Sequence, residues 1–138
     1  MSAIEIRGRC VVPGVAEGEA FVSPETISGW GGIDSRTGTI VEMRHPMRGL
    51  SFAGKVLLFP GAKGSSGYSH FFHLCRVNGT APVAQLFTRM TAKAALGCVV
   101  TRVPAMTDFD RDPFEIIRPG DHVRVDADAG LVTVTPRG

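Results

Sequence analysis

Ile4, Ile6, Gly8 and Cys10 alternate with Glu5, Arg7 and Arg9, the period-2 pattern of a half-buried strand running to Val12. Pro13-Gly14 marks a turn, and Glu17 to Val22 reads as a second strand. From Ser23 to Leu50 periodicity fades and turn formers accumulate (Gly29, Gly31, Gly32, Asp34, Ser35, Gly38, Pro46), a long loop with a short hairpin around Thr37-Gly38. Lys55 to Phe59 is a nearly continuous apolar strand suited to a sheet interior. Tyr68, Phe71, Phe72 and Cys75 fall at i, i+3, i+4 and i+7, one face of a helix that Asn78-Gly79 ends. Val83 to Phe87 resumes as a strand. Thr91 to Leu96 predicts a short helix stopped by Gly97, and Cys98 to Val103 a strand before Pro104. Phe114 to Ile117 is short and apolar. His122, Arg124 and Asp126 alternate with Val123 and Val125, and a hairpin across Asp128-Ala129-Gly130 leads into Leu131 to Val134.

About seven strands and two helices, with the helices between the central strands, predict an α+β fold: a β/β/α sandwich or open barrel with helices to one side. The 138 residues are read as one domain, 1–138, with no internal repeat. The Gly-Ser turn lacks Walker A spacing and no G-x-G-x-x-G follows a strand, which excludes a nucleotide fold of those kinds.

Composition narrows the function. A charge of +2 without a basic run leaves no electrostatic footprint for nucleic acid. No apolar run reaches membrane length and no signal-peptide core opens the chain, so a cytoplasmic protein without membrane contact is expected. Cys10, Cys75 and Cys98 are odd in number and widely spaced; all three are expected to be buried hydrophobes rather than metal ligands.

The chemistry concentrates in Phe59-Pro60-Gly61-Ala62-Lys63-Gly64-Ser65-Ser66-Gly67-Tyr68, which joins an apolar strand to a helix. Free N–H groups and the macrodipole make a helix start favourable to anions. Lys63 adds a cation and two serines add hydroxyls. One serine has a plain role as N-cap, but a helix has a single N-cap. His70 and His73, one turn into the helix, are within conceivable reach as bases, although no nucleophile elbow is present. Asp108, Asp110 and Asp112 lack the glycine and terminal glutamate of a calcium loop and read as a solvated acidic loop. For Trp30 and Asp34, lining a site mouth and anchoring the loop weigh equally; His45, before Pro46, reads as structural.

The blocks Trp30-Gly31-Gly32-Ile33-Asp34-x-x-Thr37-Gly38-x-Ile40, His45-Pro46, Gly54-Lys55-Val56-Leu57, Lys63-Gly64-Ser65-Ser66-Gly67 and Asn78-Gly79-Thr80-Ala81-Pro82 resemble the small swivelling subunit of aconitase X proteins, from about Gly8 to Val134. Gly67-Tyr68 stands where ordinary aconitases carry Arg-Glu after the two serines. The resemblance implies a hydro-lyase subunit, inactive without a large subunit that holds an iron–sulfur cluster or iron, this chain binding none itself. It assigns Ser65 as the alkoxide base and Lys63, Gly64 and Ser66 to a small hydroxy-acid substrate, in a heterodimer or higher assembly. Cis-3-hydroxy-L-proline is the first substrate expected and mevalonate 5-phosphate the second, since the turn departs from Ser-Ser-Thr-Gly-Ser. A further alternative, from the resemblance of Gly67-Tyr68-Ser69-His70 to phosphohistidine swivel domains, places a phosphoryl group on His70.

Overall fold

The computed structural model describes residues 3–137 apart from 30 and 63–66, and of residue 93 the backbone alone. The first apolar-alternating segment forms two strands, β1 (Ile4–Arg7) and β2 (Arg9–Val12), broken at Gly8. They are followed by β3 (Val15–Val22), the hairpin β4 (Ile33–Asp34) and β5 (Thr39–Ile40), β6 (Val56–Phe59), α1 (Tyr68–Asn78), β7 (Ala84–Phe87), α2 (Ala92–Thr101), β8 (Ala105–Thr107), the helical turn α3 (Pro113–Ile116), β9 (His122–Asp126) and β10 (Leu131–Thr135). Among the described residues no helix is long and apolar enough to cross a membrane.

Eight strands make one sheet in the order β1-β10-β9-β3-β6-β7-β8-β2. Its two edges, β1 and β2, are consecutive pieces of one segment, so the sheet curls until they meet at Gly8. The bend is tight: a Cβ at Gly8 would lie 2.8 Å from the Phe109 ring, and the Gly8 N–H donates to Gly130 O at 3.1 Å. The expected single strand thus splits, because its halves pair with different neighbours, β10 and β8.

Strand alternation sorts side chains to the two faces of this curled sheet. Inside lie Ile6, Val56, Leu58, Leu86, Met106 and Val123. On the other face Leu57, Phe59 and Phe87 meet Tyr68, Phe72 and Cys75 of α1 and Ala94 and Cys98 of α2. β6, apolar throughout, and β7, apolar apart from Gln85, are buried at every position. β3, β6, β7 and β8 run parallel in that order. Successive right-handed crossovers in one direction therefore put α1 and α2 on the same face, packed against each other.

The segment expected as a helix to Leu96 and a strand from Cys98 to Val103 is instead one helix. α2 does not stop at Gly97 but runs on through Cys98, Val99 and Val100 to Thr101. The stop is Arg102, left-handed at φ 58, whose N–H caps Cys98 O. Gly97 is inside the helix because the Tyr68 ring presses on it from α1; a Cβ there would overlap Cε2 and lie 2.8 Å from Cδ2. Phe114 to Ile117 is a helical turn, nucleated by the Asp112 carboxylate accepting from Phe114 N–H at 2.9 Å with Pro113 at the first position.

Candidate functional site

The candidate site begins where β6 ends. Pro60, Gly61 and Ala62 lead out of the strand and are gripped from both sides. Ile27 N–H donates to Gly61 O at 3.1 Å, and Ile27 bridges Ala62 in parallel register. From the β7 side Arg89 N–H donates to Pro60 O at 2.8 Å. Gly61 has φ +147, and a Cβ on it would sit 3.0 Å from the Arg89 carbonyl, so glycine is what lets the two segments close up. Lys63, Gly64, Ser65 and Ser66 lie outside the described residues.

Beyond them, Gly67 is the N-cap of α1, left-handed at φ 99 and ψ −10, with no side-chain cap among the described residues. The first turn of α1 contains no acidic residue, so none of its own carboxylates offsets the positive end of the helix. Together, the fixed strand end and the open helix start frame a place that favours an anion.

The long loop between β3 and β6 is a brace for α1, touching both of its ends. At the start, a Cβ on Gly29 would fall 2.5 Å from Gly67 O and 2.7 Å from the Tyr68 Cα. Backbone meets backbone there, with no room for a side chain. At the far end, the Thr80 hydroxyl donates to Ser35 O at 2.6 Å and the Asn78 amide donates to it at 3.2 Å. Gly38, at φ +67, lies so close to Thr80 O that a Cβ would be 2.5 Å away. Asp34 closes its own turn, Oδ1 accepting from Arg36 N–H at 3.0 Å and its carbonyl from Gly38 N–H at 2.8 Å. That is the anchoring role; Trp30 lies outside the described residues.

His45 is buried and structural. Met47 N–H donates to Nδ1 at 3.0 Å, which leaves the proton on Nε2 to donate to Ser23 Oγ at 3.3 Å. Ser23 Oγ in turn donates to Glu25 O at 2.7 Å. This relay pins the loop to the end of β3, where Ser23 N–H reaches Leu58 O at 2.8 Å.

Tyr68, the first residue of α1, is 1% exposed, wedged against Phe72 with ring centroids 4.8 Å apart. Its hydroxyl has no hydrogen-bond partner among the described residues, and burial pushes its pKa well above the ordinary phenol value. His70 and His73 are both exposed on α1, His70 standing edge-on to Phe71. The three aspartates of the acidic loop have structural work: Asp108 pairs with Arg9 at 2.6 Å, Asp110 accepts from Arg7 N–H at 3.0 Å, and Asp112 caps α3.

Among the described residues no three His, Cys, Asp or Glu side chains come together in a way that could hold a metal ion. Cys75 and Cys98 are buried, and burial raises both thiols, Cys98 to about 12, so neither is poised to ligate as thiolate. Cys10 is exposed, contrary to expectation; β2 is an edge strand, and its first two positions are both exposed. The described residues thus do not fit a cluster or iron site. Sequence reading passed over Arg89, which carries no motif, and took Gly29 for a turn former and Gly97 for a helix stop, since glycines that admit a neighbour look like glycines that turn the chain.

An aconitase X swivel-domain family model matches residues 5–134. The phosphomevalonate dehydratase small subunit of Methanosarcina acetivorans is 35% identical over 139 residues, covering 100% of this chain and 96% of the relative. That of Archaeoglobus fulgidus is 41% identical over 124 residues, covering 90% and 93%. In the crystal structure of Thermococcus kodakaraensis aconitase X, holo-form, one chain superposes with a TM-score of 0.89 at 34% identity, covering 96% of this chain and 99% of that one. A dehydratase is a hydro-lyase, the reaction class that the resemblance implied. The chain belongs to the aconitase X swivel-domain family.

Proposed function

We propose that this chain is the small subunit of a phosphomevalonate dehydratase, working with a large subunit that carries the metal site. The observation that supports it most is the name shared by relatives matching along nearly the whole chain. Those relatives favour mevalonate 5-phosphate over cis-3-hydroxy-L-proline, reversing the order in which the sequence ranked the two. They give no support to phosphotransfer through His70.

In this reading Ser65 takes the proton from the carbon next to the substrate carboxylate. The C–H electron pair becomes the new double bond, and the hydroxyl on the adjacent carbon departs. An iron–sulfur cluster or iron on the large subunit would supply Lewis-acid assistance. What this chain contributes is a positive helix start, free of carboxylates in its first turn, that holds an alkoxide and a carboxylated substrate near each other. Lys63, Gly64 and Ser66 bind the substrate. Gly29 and Ile27 keep the two flanks of the turn in place.

The test is reconstitution with the large subunit. This chain alone should not turn over mevalonate 5-phosphate, and the pair should. Ser65→Ala should lower kcat by about 10²- to 10⁴-fold, the usual worth of a positioned base, while leaving the complex assembled. Full turnover by the Ser65→Ala pair refutes the serine's role. A wild-type pair that dehydrates cis-3-hydroxy-L-proline alone refutes the substrate.

A further inference from the structure

Besides Ile27 and Gly29, the segment after β7 lies against the base of the turn between β6 and α1. β7 ends at Phe87, directly beside Phe59 at the end of β6. Thr88 and Arg89 follow, and both are exposed. Arg89 is tied to the base of the turn twice, its N–H donating to Pro60 O at 2.8 Å and its carbonyl packed against Gly61. Its Cα is therefore fixed relative to Pro60–Ala62, the residues from which the turn departs. Among the described residues that directly follow β6 and β7 (Pro60 to Ala62 and Thr88 to Met90), Arg89 is the one cation.

Its guanidinium pairs with no carboxylate among the described residues, although acidic groups stand close by in the chain fold. Thr88 lines a cavity of about 530 Å³ together with Asp108, Asp110, Arg111 and Asp112. Each of those carboxylates is engaged elsewhere: Asp108 with the Arg9 guanidinium, Asp110 with Arg7 N–H and Asp112 with Phe114 N–H. A planar guanidinium on a fixed backbone, without a carboxylate partner among the described residues, matches an oxyanion in two-point contact.

We propose that Arg89 is a substrate-binding residue that pairs with an oxyanion of the substrate, its carboxylate or its phosphate. This rests on the dehydratase reading above and extends it to a residue outside the serine turn. The contact forms in the bound substrate and persists through elimination, so its loss acts on KM more than on kcat.

The experiment uses the reconstituted two-subunit enzyme with Arg89→Ala, Arg89→Gln and Arg89→Lys, assayed on mevalonate 5-phosphate, mevalonate and cis-3-hydroxy-L-proline. Arg89→Ala and Arg89→Gln should raise KM by about tenfold or more, as expected for a lost charge-assisted pair, with kcat within a few-fold. Arg89→Lys should recover part of the loss, and the melting temperature should not move. Where mevalonate also turns over, a KM increase confined to the phosphorylated substrate assigns the contact to phosphate, and an increase shared by both assigns it to carboxylate. An unchanged KM for every substrate overturns the inference and leaves the dehydratase reading intact. A wild-type enzyme active on hydroxyproline alone overturns that reading, and Arg89 is then judged by KM for that substrate. If none of the three is dehydrated, both fall.

Discussion

Gly97→Ala is a sensitive probe of how α2 supports the site, because two opposing effects are of known size. Gly97 is interior to α2, where replacing glycine by alanine at an open position stabilises a helix by about 1 kcal/mol. Here the added methyl would overlap Cε2 of Tyr68 and approach Cδ2 to 2.8 Å and Cζ to 3.5 Å. The Tyr68 ring has little room to move, being buried and tilted by 42° against Phe72 with ring centroids 4.8 Å apart. Overpacking of that kind costs about 1–3 kcal/mol, so the net effect is a loss of up to about 2 kcal/mol rather than a gain. Strain is relieved only by moving the ring or the helix, and Tyr68 adjoins Gly67, which sits on Gly29 beside the serine turn. Turnover should fall with stability. Urea or thermal unfolding of Gly97→Ala, Tyr68→Leu and the double variant gives the coupling, and Tyr68→Leu should cancel most of the alanine's cost. A Gly97→Ala protein more stable than the wild type refutes the close contact as the reason for the glycine.

Two other perturbations test the buried groups. Gln85 is fully buried on β7 and neither end of its amide has a partner among the described residues, so Gln85→Leu should raise unfolding free energy by about 1–3 kcal/mol. A loss of stability in a urea titration would mean that the amide is satisfied after all. Cys98, whose thiol is pushed by burial from 9.0 to about 12, gives a pH dependence of definite sign. The unfolded thiol ionises first, so its contribution is intact below about pH 9 and is lost as pH rises towards 12. Cys75 and Tyr68 are raised too and act in the same direction. Cys98→Ala should flatten part of the stability decline between those pH values, and an unaltered decline in denaturant midpoints refutes the assignment.

What could be read along the chain followed from how local each signal is. The strands with one wet face announced themselves, as in β9, where His122 and Arg124 are exposed and Val123 and Val125 are buried. The α1 stripe was legible for the same reason, Tyr68, Phe72 and Cys75 all being buried. Where meaning depended on a distant neighbour, pattern failed. Gly97 looks like a helix stop until Tyr68, far back in the chain, is seen to need the space. Gly8 looks like one more alternating position until β1 and β2 are found on opposite edges of the sheet. Asp34 and His45 are polar residues in a long loop, the usual mark of a site, yet their bonds run to their own turn and to Ser23.

The site shows the same division more sharply. The chemistry proposed for it rests on a run of glycine, lysine and serine that stands in the sequence, whereas its support does not. Gly29, Ile27 and Arg89 reach the turn from two other parts of the chain, and two of the three do so through backbone bonds, N–H to carbonyl, that any amino acid except proline can make. Such contacts leave no trace in residue type. A glycine is demanded only where a Cβ would collide, as at Gly29 and Gly61, and an arginine only if its charge is used. Backbone bonding explains why the segment after β7 lies beside the turn; it does not explain why residue 89 is an arginine. A side chain of that length and charge, at the base of the proposed site for an anionic acid, is what the proposed substrate contact would use.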